Sequence, residues 1–442
     1  MKNKKLIRFA KKLSKNIKYI LPVSFFSVMC IGMVLSMIIP LRPTFSESEK
    51  RELTKYPEFS LESFWQGEYF SQVDTWFSDT FPFRETLINI NSTINELRGF
   101  GDKVYGINNS NTNTEIPEAT TTEEATTEET TTEEQEPTVP EQKDFVTQTL
   151  DSILVVGNTG YEYCSFKQDV ADKYVSIVNK TANALYGTSR VYDMLVPTST
   201  DITMSESVRK DIGSANQSEI MDYIFNSFND KVVDVNIYKN LRMHRDEYLY
   251  FRSDHHWTAR GAYYAYEKYA QVRGANPVPL SRYTEVSYGD FLGSFYNKTG
   301  SSEMKKTPDE LIAYQPYFES TLVFTKTDGT KYNWDLVHDV TNYASNSKYS
   351  AFTAGDNPMT VIENTTRSKG KSLLVIKESF GNAVIPFLVA HYKNVYVIDY
   401  RYYNGGIIQF AKQNKINDVL FINNVSAVRS STLIDRMEAI NY

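Results

Sequence analysis

Cysteine is almost absent from this chain: there are two in 442 residues, Cys30 and Cys164. Cys30 lies inside an apolar N-terminal run, so a bridge to Cys164 and any disulfide framework are excluded. No paired Cys/His spacing of a zinc module is present either. Histidine is scarce as well, at five, and His244, His338 and His391 stand isolated. Basic residues cluster only at the N-terminus. The net charge is −7, and no basic stripe offers a footprint for nucleic acid. No cofactor and no metal are expected. Aromatic residues, by contrast, are plentiful, with 31 Tyr and 25 Phe, a composition that suits an extracytoplasmic, carbohydrate-facing protein.

Residues 1–18 carry Lys2, Lys4, Lys5, Arg8, Lys11, Lys12, Lys15 and Lys18 and no acid. Tyr19 to Ile39 then holds no charge and is long enough to span a bilayer. The expectation is a basic cytoplasmic tail (1–18), an uncleaved single-pass anchor in the cell membrane (19–40), and an extracytoplasmic remainder. A cleaved signal peptide fits less well, because the run is long for one and no small-x-small site follows it. Ser27-Val28-Met29 is too bulky for lipoprotein processing at Cys30. Residues 41–110 form an aromatic-rich helical segment. Its pairs Phe64-Trp65, Tyr69-Phe70 and Trp76-Phe77 recur at helical spacing, read here as packing, and the segment is expected to pack on the globular part. Residues 111–143 are mostly Thr, Glu, Pro and Ala, which bury too little apolar surface to fold, so a disordered linker is expected.

The remainder, 144–442, alternates strand and helix patterns. Ile153–Val156, Arg190–Val196, Val232–Val235, Ser372–Ile376, Val395–Ile398 and Val419–Ile422 read as strands. Asp169–Leu185, Ser218–Phe228, Ala383–Ala390 and Gly406–Gln413 read as helices, and Thr258 can cap another. That rhythm predicts an α/β fold with a mainly parallel sheet and helices on both faces. An insertion around 280–366 is polar and weakly periodic, and reads as either a β-rich insertion or a set of substrate loops.

Chemistry concentrates in two stretches at the expected sheet edge. The first is Tyr248-Leu-Tyr-Phe-Arg-Ser-Asp-His-His-Trp-Thr-Ala-Arg-Gly261, read as a short strand, a polar loop and a helix start. The second is Leu373-Leu-Val-Ile-Lys-Glu-Ser-Phe-Gly381. Ser379 follows a buried-strand pattern and opens a helix, where the free N–H groups of Phe380 and Gly381 are candidates for an oxyanion hole. In an extended loop residues i and i+2 share a side. Asp254 is then placed to orient His256, and His256 to take the Ser379 proton, while His255 points the other way. Trp257 is a candidate sugar platform or a packing residue. Arg252 and Arg401 are candidate substrate contacts or ion-pair partners. A metal held by Asp254, His255 and His256 is weighed and set below the triad, because adjacent histidines rarely face one ion.

Ser253-Asp-His-His-Trp-Thr258, followed by Gly261, resembles the signature of the DHHW protein family. That family is similar to the alginate O-acetylation proteins of the SGNH-hydrolase-like superfamily. Asp254, His256, Trp257 and Ser379 fit the wider group's Asp-x-His-Trp and later serine, and Phe-Pro-Phe-Arg at 81–84 resembles its N-terminal segment. Two features depart: Glu378 precedes the serine, and no Gly-x-Asn-Asp block supplies a side-chain oxyanion donor. The resemblance implies an SGNH-like three-layer sandwich and acetyl transfer to a polysaccharide. A membrane-bound O-acyltransferase would be the partner that delivers the acetyl group, and Ser379 would carry it as an ester. The same triad hydrolyses acetyl esters where water wins the second step. A non-catalytic glycan-binding or assembly protein on this fold is the third reading.

Overall fold

The computed structural model describes residues 153–442 continuously and, before them, 42–43, 45–46, 51–52, 54–61, 64, 68–81, 116, 136–140, 142 and 147–150. The expected basic tail, the membrane anchor, residues 82–110 and most of the Thr/Glu linker lie outside the described residues. Among the described residues no helix is long and apolar enough to cross a membrane. The chain divides into two units, Met1–Gly99 and Phe100–Tyr442.

In the first unit a helix runs over Glu68–Asp79. The Arg42 guanidinium lies 4.0 Å over the Trp76 ring and donates to Thr80 Oγ1 at 2.7 Å, so one side chain pins the helix end. Tyr56 meets Trp76 edge-on at 4.8 Å. Some of the expected aromatic stripe therefore packs locally, while Phe59 and Phe70 stay exposed.

The second unit opens with a three-stranded antiparallel meander, β1 (Thr147–Leu150), β2 (Ile153–Val156) and β3 (Thr159–Glu162). Just before it, the end of the expected linker is docked. Glu136 pairs with Arg242 at 2.6 Å, and Gln142 bonds the Tyr161 hydroxyl and the Ser205 N–H. Then come α1 (Gln168–Leu185), β4 (Arg190–Val196), α2 (Gln217–Asn226), β5 (Val232–Asp234) and α3 (Ala259–Arg273). The insertion follows with β6 (Thr284–Phe291), β7 (Asp309–Gln315), β8 (Ser320–Thr325), β9 (Lys331–Trp334) and β10 (Met359–Asn364). The chain closes with β11 (Ser372–Lys377), β12 (Asn394–Asp399), α4 (Ile407–Gln413), β13 (Asp418–Asn424) and α5 (Ser431–Ala439).

Eight strands make the main sheet in the order β9-β8-β10-β12-β11-β13-β4-β5. From β12 to β5 every pairing is parallel, and from β12 to β9 every pairing is antiparallel. The expected mainly parallel sheet is thus a mixed one. The insertion supplies its antiparallel half, so 280–366 is β-rich and part of the sheet. Its strands are weakly marked in the sequence because they bury one face only and so carry fewer apolar residues than the doubly buried parallel strands.

Side-chain period fixes the layers. Leu373 and Val375 of β11 face a core shared with Ala262, Tyr266 and Tyr269 of α3. Leu374 and Ile376 face the opposite core, shared with Val178 of α1, Ile224 of α2, Ile408 of α4 and Met437 of α5. Buried on both faces, β11 needs its continuous apolar run. The helix expected over Ala383–Ala390 is broken instead. A 3-10 turn spans Ser379–Ala383, a single α turn spans Ile385–Leu388, and a second 3-10 turn spans Val389–His391. Pro386 has no N–H to donate, so a helix through it loses a bond and restarts with the proline in its first turn.

One buried carboxyl between α1 and the sheet gives a stability prediction. Burial raises Asp193 to about 8, against the lowering hydrogen bond from Tyr174. In the unfolded chain an aspartate ionises near about 3.9. A raised folded value means that its stabilising contribution is present below the unfolded pKa and is lost as pH rises through the folded one. Asp193→Asn should therefore raise the melting temperature at about pH 8 and converge with wild type towards about pH 4. Equal melting temperatures at the higher pH would contradict a buried neutral carboxyl.

Candidate active site

The Tyr248–Phe251 segment is not a strand of the sheet, as the sequence suggests. A single bridge, Tyr250 to Trp257, closes a tight loop on it. Gly261 lets α3 approach that loop: a Cβ there would lie 2.5 Å from the Leu249 carbonyl oxygen. Thr258 caps α3, its Oγ1 accepting from the Gly261 N–H at 3.3 Å. From the insertion, buried Asp309 grips the loop. Its carboxylate accepts from the Ser253 N–H at 2.8 Å, the Ser253 hydroxyl at 2.5 Å and Arg252 Nε at 3.0 Å, and also from the Tyr248 hydroxyl.

Within this loop Asp254 folds back on His256. Asp254 Oδ1 lies 2.6 Å from His256 Nδ1 and accepts the His256 backbone N–H at 2.9 Å. Asp254 Oδ2 accepts the Ser294 N–H at 2.7 Å. On the far side of the ring His256 Nε2 lies 2.7 Å from Ser379 Oγ. The contact joins residues 123 positions apart, brought together because β11 ends beside the loop. Burial alone would raise the Asp254 carboxyl, but the charges of His256 and His255 and the bonds from His256 and Ser294 outweigh it and hold it well below the usual range. Asp254 is thus an anion that fixes the imidazole with Nδ1–H facing it, leaving Nε2 as the acceptor for a hydroxyl proton.

A family model described as "DHHW protein" matches residues 49–148 and 127–398. The chain belongs to the DHHW protein family. A crystal structure of a DHHW family protein from Eubacterium siraeum DSM 15702 has 27% identity and TM-score 0.62, covering 69% of this chain and 100% of that one. Bacillus cereus PatB1 has 22% identity and TM-score 0.54, covering 66% of this chain and 99% of that one. PatB1 with a sulfonyl adduct has 20% identity and TM-score 0.53, covering 66% and 98%. PatB1 shares the fold. No match was found among curated proteins.

The DHHW loop differs from its extended reading in one respect. His255 does not point away. Its ring lies 3.8 Å from that of His256, its Nδ1 is 2.6 Å from Ser294 Oγ, and 28% of its side chain is exposed. Burial and the neighbouring His256 lower its pKa. Trp257 is fully buried and donates Nε1–H to the Phe380 carbonyl at 2.9 Å, tying the two loops together, so it packs and is no sugar platform. Arg252 is held by Asp309 and the Pro308 carbonyl. Arg401 pairs with Asp399 at 2.6 Å and Asp356 at 2.8 Å. Of the two readings open for these arginines, the structure shows the ion pairs.

The amides expected to form the oxyanion hole already have acceptors. Phe380 N–H donates to the Glu378 carboxylate at 3.1 Å, and Gly381 N–H donates to the Glu378 carbonyl at 3.0 Å. Glu378 is buried, also accepts from the Asn424 N–H at 3.0 Å, and has its pKa raised by burial. Glu378, directly before Ser379, is thus the cap of the serine turn. Asp254, His255 and His256 each have a potential ligand atom, and these atoms lie within 4.8 Å of one another. Zinc bonds of about 2.0–2.1 Å would keep tetrahedral ligand atoms about 3.3 Å apart. The 2.6 Å between Asp254 Oδ1 and His256 Nδ1 is a hydrogen-bond distance. Ser294, Asp309, Tyr349 and Asp356 reach this neighbourhood from the insertion. No local motif marks them, since each acts across a long sequence separation.

The fit around Asp254 is tight enough to predict from. A Cβ on Gly293 would fall 2.2 Å from Asp254 Oδ2 and 2.5 Å from its Cγ. The carboxyl is buried and anchored on both oxygens, so it must move. Gly293→Ala should lower kcat/KM on an activated ester by about 100-fold, the scale of an ångström-level misplacement, with melting measured alongside. Unchanged turnover would mean that Asp254 does not set the His256 geometry.

Proposed function

We propose that this DHHW-family chain is a membrane-anchored, extracytoplasmic O-acetyltransferase acting on a polysaccharide through an acyl-serine intermediate. The observation that supports it is the unbroken line from Asp254 Oδ1 through His256 to Ser379 Oγ, at 2.6 and 2.7 Å. Ser379 Oγ attacks the acetyl carbonyl carbon while its proton passes to His256 Nε2. Collapse breaks the bond to the donor oxygen, which leaves with that proton, and the acetyl group stays on Ser379 as an ester. A sugar hydroxyl then repeats the sequence: it gives its proton to His256, attacks the ester carbon and releases Ser379, which recovers the proton. Asp254 stabilises the imidazolium formed in both halves.

The basic tail and the apolar run Tyr19–Ile39 support the anchored, extracytoplasmic placement. A membrane-bound O-acyltransferase is the proposed partner, because acetyl groups must reach the outer face to be transferred there. Water in the second half-reaction gives the alternative, a carbohydrate acetyl esterase. A chain that binds glycan without turnover is the remaining possibility on this fold.

The test uses the chain from Arg42 onward with a chromogenic acetyl ester and intact mass. Wild type should acquire a transient acetyl adduct that Ser379→Ala lacks, with turnover in the variant lower by at least about 1000-fold. Glycan oligomers should then gain acetyl at the expense of free acetate. Equal turnover by the two proteins would overturn the proposal, and released acetate with no glycan product would move it to the esterase.

A further inference from the structure

The ring of Tyr349 lies flat on His256, with centroids 3.9 Å apart and planes inclined by 10°. Its hydroxyl donates to the Ser379 carbonyl at 3.3 Å. One side chain thus covers a face of the imidazole and touches the serine turn. On its other flank the His256 ring meets His255 and Phe380. We propose that Tyr349 is a positioning residue for His256, an aromatic clamp delivered by the insertion that holds the imidazole between Asp254 and Ser379 and stabilises its cationic form. The inference rests on the triad reading above.

What holds Tyr349 argues against incidental packing. It sits in a 3-10 turn, Ser345–Ala351, and is followed by three consecutive left-handed residues, Thr353 (φ 52°), Ala354 (φ 61°) and Gly355 (φ 74°). A β-branched threonine is strained there, and such backbone persists where its surroundings fix it. Here they do. His338 N–H bonds the Ala351 carbonyl at 2.8 Å and Thr353 N–H bonds the Leu336 carbonyl at 3.0 Å. Asp356, directly after the strained turn, is clamped by Lys377 at 2.9 Å, Arg401 at 2.8 Å and Asn382 at 2.9 Å. The turn is therefore fastened on both sides of its strain, and one fastening is Lys377, two residues before Ser379. An aromatic face against an imidazole favours the cation electrostatically, and the cation is the state His256 reaches when it takes the serine proton.

The experiment compares Tyr349→Phe, Tyr349→Leu and Tyr349→Met in the full chain, with Ser379→Ala as control, on the same acetyl ester. Melting temperature is recorded for each. Leucine and methionine should lower kcat by about 10- to 100-fold with KM within about threefold and melting near wild type. Phenylalanine keeps the stacked ring and loses one long hydrogen bond, so it should recover kcat to within about threefold of wild type. If the leucine and methionine variants turn over like wild type while Ser379→Ala is inactive, the clamp is refuted and the triad stands. The clamp is also refuted if activity falls only in step with melting, or if phenylalanine fails to rescue. A fully active Ser379→Ala removes the triad reading and the clamp with it.

Discussion

A buried anion organises this molecule. Asp254 is nearly inaccessible, and an isolated carboxylate in such a place would be protonated or expelled. It stays charged because each oxygen has donors: His256 Nδ1 and the His256 N–H on one, the Ser294 N–H on the other. Each donor demands something of the chain. The His256 amide requires the tight loop closed by the Tyr250–Trp257 bridge. The Ser294 amide requires the insertion to return to this point with a glycine before it, since any larger residue at 293 would occupy the carboxylate's own space. Asp309 then holds the preceding Ser253 from the same insertion. The acid–base loop is shaped by residues 40 to 60 positions downstream.

A second charged cluster secures the nucleophile's side. Lys377, Asp356, Asp399 and Arg401 lie at the ends of β11 and β12 and on the strained turn after Tyr349. Burial opposes charge on Lys377, yet Asp356 and Asp399 raise its pKa, and burial of Asp356 is outweighed by Lys377 and Arg401. Breaking one member of such a network leaves its partner charged and buried, which is strongly destabilising. The cluster therefore gives the serine turn a rigid seat and anchors the segment that carries Tyr349. Antiparallel strands from the insertion extend the sheet on this side, so the added segment is structural as well as local to the site.

The parallel strands were legible because burial on both faces demands continuous apolar runs, as in Leu373–Ile376 and Val419–Ile422. Thr258 as a helix cap was also readable. Asp254, His256 and Ser379 were picked out as residue types at a sheet edge and by their resemblance to the Asp-x-His-Trp and later serine, while the loop that brings them together is bent, not extended. The antiparallel strands over 320–364 were not, since their one-sided burial leaves a weak pattern. His255 was misplaced because the loop bends back through Asp254 instead of running extended. Phe380 and Gly381 looked free as helix-start amides, but Glu378 already caps them. Of the two readings open for each of Trp257, Arg252 and Arg401, packing and ion pairing hold. The Arg401–Asp399 pair is local in sequence, while the partners at 309, 356 and 380 are distant and cannot be inferred from neighbouring residues.

The most direct test of an assembled Asp254–His256–Ser379 line is covalent labelling with a sulfonyl fluoride followed by peptide mapping. The account predicts a single sulfonyl adduct on Ser379, formed in wild type and abolished in His256→Ala although Ser379 is still present. Labelling of Ser379 at the same rate without His256 would show that the imidazole does not activate the serine. Adducts confined to other residues would show that Ser379 is not the nucleophile.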